Sequence, residues 1–210
     1  MTEAKQEHPL QKYLSADNNY IFAILAIAIV IILIYLRTGL LQNEGLFEPD
    51  GFFYYTAIKQ AIANNFVFVN PVQLSGYPWH NPLGEQSGLL YFVLVPYFIL
   101  RFFGVSAYTV MAYSPIAAGL VIGALSGLLA ARISKSRALG LLAFFFIATS
   151  SGNIARTAGT VFRGDTFVSI FVLLGLLALL EIYNSKDDKR RYTFALTPKN
   201  LSMKYGTSTK

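Results

Sequence analysis

The sequence predicts an all-α fold, a polytopic helical bundle in a membrane with about four transmembrane helices and further interfacial helices. Three observations predict it: 54% of the 210 residues are apolar, only 13% are charged, and long uncharged stretches recur. Soluble proteins carry about 25% charged residues, so lipid must replace water around much of this surface. The composition therefore excludes a water-soluble enzyme.

The charge balance points to membrane lipid and not to nucleic acid. The formal net charge is +6, and in polytopic proteins Lys and Arg normally mark the cytoplasmic loops beside the anionic leaflet. The chain has no Cys and two His, which excludes disulfides and a His-rich or thiolate metal site.

Four stretches are long and apolar enough to cross a hydrocarbon core of about 30 Å. They are residues 20–36, 107–131, 138–155 and 166–183. The second stretch is rich in small residues, including Gly119, Gly123 and Gly127, which lets neighbouring helices approach closely.

A fifth stretch, 87–100, is interrupted by Pro96 and has the length of an interfacial helix. If it does not cross and the N-terminus is cytoplasmic, the basic clusters within 132–137 and 186–191 both lie inside, as the positive-inside rule requires. We therefore expect four spans in a transmembrane domain of residues 1–183, with 87–103 lying in the membrane surface.

This topology predicts a long external loop, 37–106, and a short one, 156–165, in a multi-pass protein of the cell membrane. The polar tail, 184–210, lacks apolar periodicity, and we expect it to be cytoplasmic and disordered.

Two aspartates stand out among the few polar groups of the external loops. Asp50 begins an aromatic segment in which Phe52, Tyr55, Ile58 and Ile62 recur at helical spacing, predicting an amphipathic surface helix. Asp165 directly precedes the last span. Either aspartate could cap its helix, or the two could share a divalent cation through carboxylate oxygens, and both interpretations can hold together.

Three basic or aromatic residues of the same loops are candidates for binding phosphate. Arg156 and Arg163 lie close to Asp165 in the sequence, and Arg suits bidentate contacts to phosphate. His80 lies in a turn-like segment, 76–82, as a candidate metal or phosphate ligand. Taken singly, each arginine is more simply an interfacial basic residue, and His80 a residue of an interfacial turn.

Three segments, in this order, resemble the catalytic subunit of oligosaccharyltransferase, an enzyme of asparagine-linked glycosylation in the GT-C superfamily. Residues 48–55 (EPDGFFYY) are similar to the acidic motif of the family's first external loop, and 79–84 (WHNPLG) to a later part of that loop. Residues 155–165 (ARTAGTVFRGD) are similar to the second-loop stretch that ends in a second acidic motif.

The resemblance implies a metal-dependent, inverting transfer of a glycan from a dolichyl phosphate or diphosphate donor to Asn in N-x-S/T sequons. Asp50 would bind Mn2+ or Mg2+ and hold the acceptor amide, and Asp165 would be a second metal ligand. Arg163 stands where the family usually has another acid. The family also has a later glutamate and a WWDYG motif, and neither is in these 210 residues. We therefore expect the 210 residues to be the N-terminal portion of such a protein and to be inactive alone.

Two other functions stay open from the sequence. One is another GT-C glycosyltransferase that uses a polyprenyl-phosphate sugar. The other is a non-catalytic multispanning subunit in which the two aspartates only cap helices. A transporter is disfavoured because transporters place ionisable residues near the middle of their spans, and the stretches 20–36 and 107–131 contain none.

Overall fold

The computed structural model describes residues 19–42, 45–46, 49–68 and 87–184. Regular structure in these ranges is entirely helical, which confirms the predicted all-α class. The helices are α1 (Asn19–Thr38), α2 (Pro49–Ala63), α3 (Ser87–Leu100), α4 (Ala107–Ser134), α5 (Arg137–Thr149), α6 (Ser151–Thr157) and α7 (Gly164–Asn184), with 3-10 turns at Gly39–Gln42 and Arg101–Phe103.

Three of these segments are long and apolar enough to cross a membrane: Asn19–Gln42, Ala107–Ser134 and Gly164–Asn184. The pair α5 and α6 would be a fourth span if the two helices cross together, although they are bent by 62° at their junction. The structure therefore agrees with about four spans and adds a break that the uncharged stretch 138–155 did not predict.

The chain groups into two compact units, Met1–Leu173 and Leu174–Lys210. The first unit contains every helix from α1 to the first half of α7. The described part of the second unit is the remaining half of α7, on which Leu174, Leu176, Leu179 and Tyr183 are exposed apolar side chains, as suits a lipid-facing helix.

Helices α4 and α5 form an antiparallel hairpin joined by Lys135 and Ser136. A Cβ atom added at Gly127 would lie 2.9 Å from the Gly140 carbonyl oxygen, and one added at Gly123 would lie 2.6 Å from the Phe144 ring. The small residues of α4 therefore bring the two backbones together, as the sequence predicted.

Helix α1 completes this three-helix core and runs in the same direction as α5. At its start the Asn19 side chain accepts a hydrogen bond from Arg137 at 2.6 Å, and further along it Leu33 packs with Phe144 and Ala148. The C-terminal ends of α1 and α5 therefore lie at the same end of the bundle as the N-terminus of α4.

A second core lies at that end, where α2 and α3 pack against the first turns of α4 and α7. Its buried members include Ile58 of α2, Leu90 and Val93 of α3, Met111 of α4 and Phe167 of α7. This core fixes the positions of α2 and α7, the two helices that carry the aspartates.

Helix α3 and the following 3-10 turn span the segment predicted as one helix over 87–103. Leu90, Val93 and Leu94 are buried, whereas Tyr91, Val95 and Ile99 are exposed. Apolar side chains thus cover both its packed and its outer face.

Candidate functional site

Asp50 and Asp165 occupy equivalent positions in two different helices. Asp50 follows Pro49 in the first turn of α2, and Asp165 follows Gly164 in the first turn of α7. Each carboxylate therefore lies next to the unpaired N–H groups of a helix start, where negative charge is favourable.

Tyr54 is a buried phenol whose pKa responds to both aspartates. It lies one turn after Asp50 on α2 and is 4% exposed. Burial raises the pKa of Tyr54 above its ordinary value of 10.0, and the negative charges of Asp50 and Asp165 raise it further. Both carboxylates are thus close enough to act on the same phenol, although 115 positions separate them in the chain.

The buried face of α2 differs from the predicted one. Ile58 is completely buried, as expected, but Phe52 is 55% exposed and the neighbouring buried positions are Tyr54 and Ala61. The buried face of α2 is formed by residues 54, 58 and 61. Tyr54 therefore points inward, where its ring packs edge-on against Phe162 at 5.5 Å between centroids.

Asp165 is paired with both candidate arginines. Arg156 Nη1 donates to Asp165 Oδ2, and Arg163 Nε donates to Asp165 Oδ1 at 3.4 Å. The arginines are exposed or half-exposed, so solvent screens these pairs strongly. The structure therefore joins three of the predicted site residues in one small cluster of alternating charge.

Most of the segment predicted as a short external loop, 156–165, is buried. Thr157, Thr160 and Phe162 are at most 2% exposed, because the chain turns into the bundle after α6. Thr160 has φ 70°, a left-handed conformation that is unfavourable for a β-branched residue. It is held by a hydrogen bond from Thr160 N–H to the Ala112 carbonyl at 3.0 Å.

A second hydrogen bond aligns Arg156 with the start of α7. The Thr166 hydroxyl, which is buried, donates to the Arg156 carbonyl oxygen at 2.9 Å. Because Thr166 directly follows Asp165, this bond brings the end of α6 and the start of α7 together at the cluster.

An apolar cleft of about 440 Å³ lies beside the cluster, between α2, α3 and α7. Tyr54 and Gly164 line one part of it, and Phe92, Val168 and Phe171 line another. Its volume falls in the range of small-molecule pockets, and its walls suit a hydrocarbon chain.

The carboxylates fit a hard divalent cation in ligand type, since Mn2+ and Mg2+ prefer oxygen. Within the described residues no group of three or more His, Asp or Glu side chains comes together. His80 lies outside the described residues, as do Glu44, Glu48 and Glu85.

Two residues of this region did not stand out in the sequence. Tyr54 was not among the candidate site residues, although its position four residues after Asp50 was the available signal. Arg37 was placed at the start of the first external loop, whereas it is a completely buried residue in the last turn of α1.

Comparison with known proteins gives one informative similarity. No family profile and no solved structure matches the chain. Over 181 residues, covering 81% of the chain, it is 27% identical to the dolichyl-phosphooligosaccharide-protein glycotransferase 2 of Pyrococcus horikoshii. The chain spans 23% of that protein's length, so the similarity relates it to one part of a protein glycotransferase.

Proposed function

We propose that the chain is part of a membrane glycosyltransferase that moves a glycan from a dolichyl phosphate or diphosphate donor to Asn in N-x-S/T sequons. The observation that carries the proposal is the charged cluster at the start of α7, in which Arg156 and Arg163 pair with Asp165, together with the effect of both Asp50 and Asp165 on the pKa of Tyr54. The similarity to a protein glycotransferase supports the same class of reaction.

In this proposal Asp50 and Asp165 hold Mn2+ or Mg2+, and Asp50 also orients the acceptor amide. The ion would act as a Lewis acid that neutralises charge on the leaving phosphate. The amide nitrogen forms a bond to the anomeric carbon while the bond from that carbon to the phosphate oxygen breaks, with inversion and loss of an amide proton. Positioning and electrostatic stabilisation then account for most of the acceleration.

The arginines would have two alternative partners in this scheme. Without a donor they neutralise Asp165, and with one they would turn to the donor phosphates, which offer the same bidentate geometry. Exposed ion pairs contribute about 1 kcal/mol or less, so breaking these pairs to bind the donor costs little free energy. His80 remains a third candidate for the phosphates.

Two further features support a lipid-linked donor. The apolar cleft beside Tyr54 gives a hydrocarbon chain a place directly next to the charged cluster. The candidate membrane spans α1, α4 and α7 would keep that cleft in lipid. We propose that the site faces outside the cell, with the N-terminus of the chain in the cytoplasm.

The test is glycan transfer by the natural protein that carries these residues, assayed with a lipid-linked oligosaccharide and an N-x-S/T peptide. We expect Asp50→Asn and Asp165→Asn to lower kcat/KM by at least about 100-fold, since each removes charge that faces the leaving group. Glu181→Gln, a change sixteen residues further along α7, is the matched control and should retain activity.

Binding of Mn2+ to the 210-residue chain gives a second readout that does not depend on turnover. Each Asp→Asn variant should weaken binding, measured by the loss of the free Mn2+ signal in electron paramagnetic resonance. Normal transfer by Asp50→Asn would refute the assignment of the catalytic site.

A further inference from the structure

Arg37 is a charged residue that the proposed reaction does not use, yet it is completely buried near the end of α1. Its Nε donates to the Thr157 hydroxyl at 2.6 Å. Its Nη1 donates to the Ala148 carbonyl at 2.9 Å and to the Leu33 carbonyl at 3.2 Å. One side chain therefore contacts three different helices.

Two of these acceptors belong to the broken helix pair. Ala148 is in the last turn of α5, where carbonyl groups lack partners within the helix, and Thr157 is the last residue of α6. A cation at these two C-terminal ends also complements their helix dipoles. Arg37 thus holds both sides of the 62° bend.

The backbone of Arg37 holds the segment that follows. Its carbonyl oxygen accepts a hydrogen bond from Gly159 N–H at 2.8 Å. A Cβ atom added at Gly159 would lie 2.5 Å from Leu41, and one added at Gly119 would lie 2.9 Å from Arg37 Nε. Glycine at both positions leaves the room that the guanidinium and this segment need.

Stability alone does not explain a buried arginine here. Among the described residues no acid pairs with it, and its Nη2 has no hydrogen-bond partner. Burying a charge without a counter-ion is costly, and apolar residues of similar volume often replace buried charges at no loss of stability. Its three directed hydrogen bonds indicate instead that Arg37 fixes the positions of α5 and α6 relative to α1.

We propose that Arg37 is a positioning residue that fixes α6 and the buried turn after it, and thereby brings Arg156 and Asp165 together. Thr157, held by Arg37, is the direct neighbour of Arg156. The Arg156 carbonyl in turn accepts from Thr166, the direct neighbour of Asp165. The consequence for catalysis rests on the proposed function, whereas the consequence for geometry does not.

The geometric test uses spin labels on the cysteine-free 210-residue chain. Single cysteines at Ala155 and Val168, both exposed, allow the distance between α6 and the first half of α7 to be measured by electron paramagnetic resonance. We expect a narrow distance distribution in the parent, and a broadened or shifted one in Arg37→Met, with Tm changed by only a few degrees.

Thr157→Val is a milder variant that removes the acceptor of Nε while keeping the side-chain shape. It should broaden the distribution in the same way, and combining it with Arg37→Met should add little, because Arg37→Met already removes the hydrogen bond to the Thr157 hydroxyl. Arg101→Gln is the matched control. Its exposed guanidinium lies 4.5 Å from the Phe98 ring centre, and its removal should leave the distribution unchanged.

The functional arm measures Mn2+ affinity and the kinetics of the natural protein. Residues that orient metal ligands typically change affinity or activity by about 10- to 100-fold when replaced. We expect a loss in that range in Arg37→Met, with kcat reduced and KM for the acceptor peptide nearly unchanged.

The outcomes separate the two proposals. A parent protein without Mn2+ binding or glycan transfer would contradict the proposed function, while the distance measurement would still decide the role of Arg37. An unchanged distance distribution in both Arg37→Met and Thr157→Val would overturn the positioning role, even if the protein proved to be a glycosyltransferase.

Discussion

Tyr54 is buried, and the charges of two carboxylates both act on its hydroxyl group. Its raised pKa has burial as the largest cause and the charges of Asp50 and Asp165 as the smaller causes. The phenol stays protonated well into the alkaline range and can donate a hydrogen bond to an anionic oxygen. The charges of both candidate metal ligands, Asp50 and Asp165, therefore act on this one hydroxyl group.

The pKa shift of Tyr54 predicts how stability depends on pH. Because the folded pKa lies above the unfolded value of 10.0, the stabilisation is fully present below pH 10 and is lost as pH rises through the folded pKa. We expect the free energy of unfolding in detergent to fall more steeply above pH 10 in the parent than in Tyr54→Phe.

Tyr55→Phe removes a hydroxyl group from the next residue of the same helix and serves as the control. Its stability profile should follow that of the parent. Identical alkaline profiles for the parent and Tyr54→Phe would contradict the environment described for this phenol.

At the scale of the element, glycine decides how closely the helices pack. Gly127 and Gly140 let α4 and α5 meet at their backbones, and Gly119 gives the Arg37 guanidinium its place. Helix pairs in lipid gain little from the hydrophobic effect, so close contact of this kind is a main source of their association.

Gly127→Ala is expected to destabilise the protein. The new Cβ would lie 2.9 Å from the Gly140 carbonyl oxygen, and backbone atoms cannot move aside as a flexible side chain can. Overpacking of this kind typically costs about 1–3 kcal/mol, measurable as a lower free energy of unfolding in mixed micelles.

Gly152→Ala is the matched control because a Cβ atom there meets nothing within 4 Å. Alanine favours helix over glycine by about 0.5–1 kcal/mol, so this variant should be as stable as the parent or slightly more stable. Equal stability of the two variants would show that α4 and α5 do not approach as closely as described.

At the scale of the whole molecule, the first unit places both aspartates at one end of a bundle of candidate membrane spans. The end of α1, the end of α5 and the start of α4 meet there, and the second core fixes α2 and α7 against them. A reaction between a membrane lipid and a polypeptide needs a site at such an end, where lipid and water are both accessible.

The proposed orientation can be tested by labelling single cysteines in intact cells. Phe103, Ala155 and Ser134 are exposed, and the chain has no cysteine of its own. We expect a membrane-impermeant thiol reagent to label Phe103→Cys and Ala155→Cys but not Ser134→Cys, which would react only after permeabilisation.

Thr160→Cys is a useful further control, because Thr160 lies in the predicted external loop 156–165 but is only 2% exposed. We expect it to resist labelling on either side. Labelling of Ser134→Cys from outside would reverse the proposed topology.

The charged residues of the candidate site could be singled out in the sequence, but their contacts could not. Asp50, Asp165, Arg156 and Arg163 were recognisable because charged residues are rare in such an apolar chain. Their pairing was not, since Arg156 and Arg163 were assigned to phosphate and the structure joins both to Asp165. The Arg156–Asp165 pair depends on the buried turn over residues 157–162 and on the hydrogen bond from Thr166 to the Arg156 carbonyl, and no local pattern encodes these contacts.

The fold class and the approximate helices follow from the sequence alone, because the length and charge content of each apolar stretch decide whether it can lie in lipid. Three features depend on the tertiary fold: residues 157–162 are buried, Tyr54 points inward, and Arg37 bridges three helices. These features arise from contacts between distant segments, where one side chain satisfies polar groups that several helix ends leave unpaired.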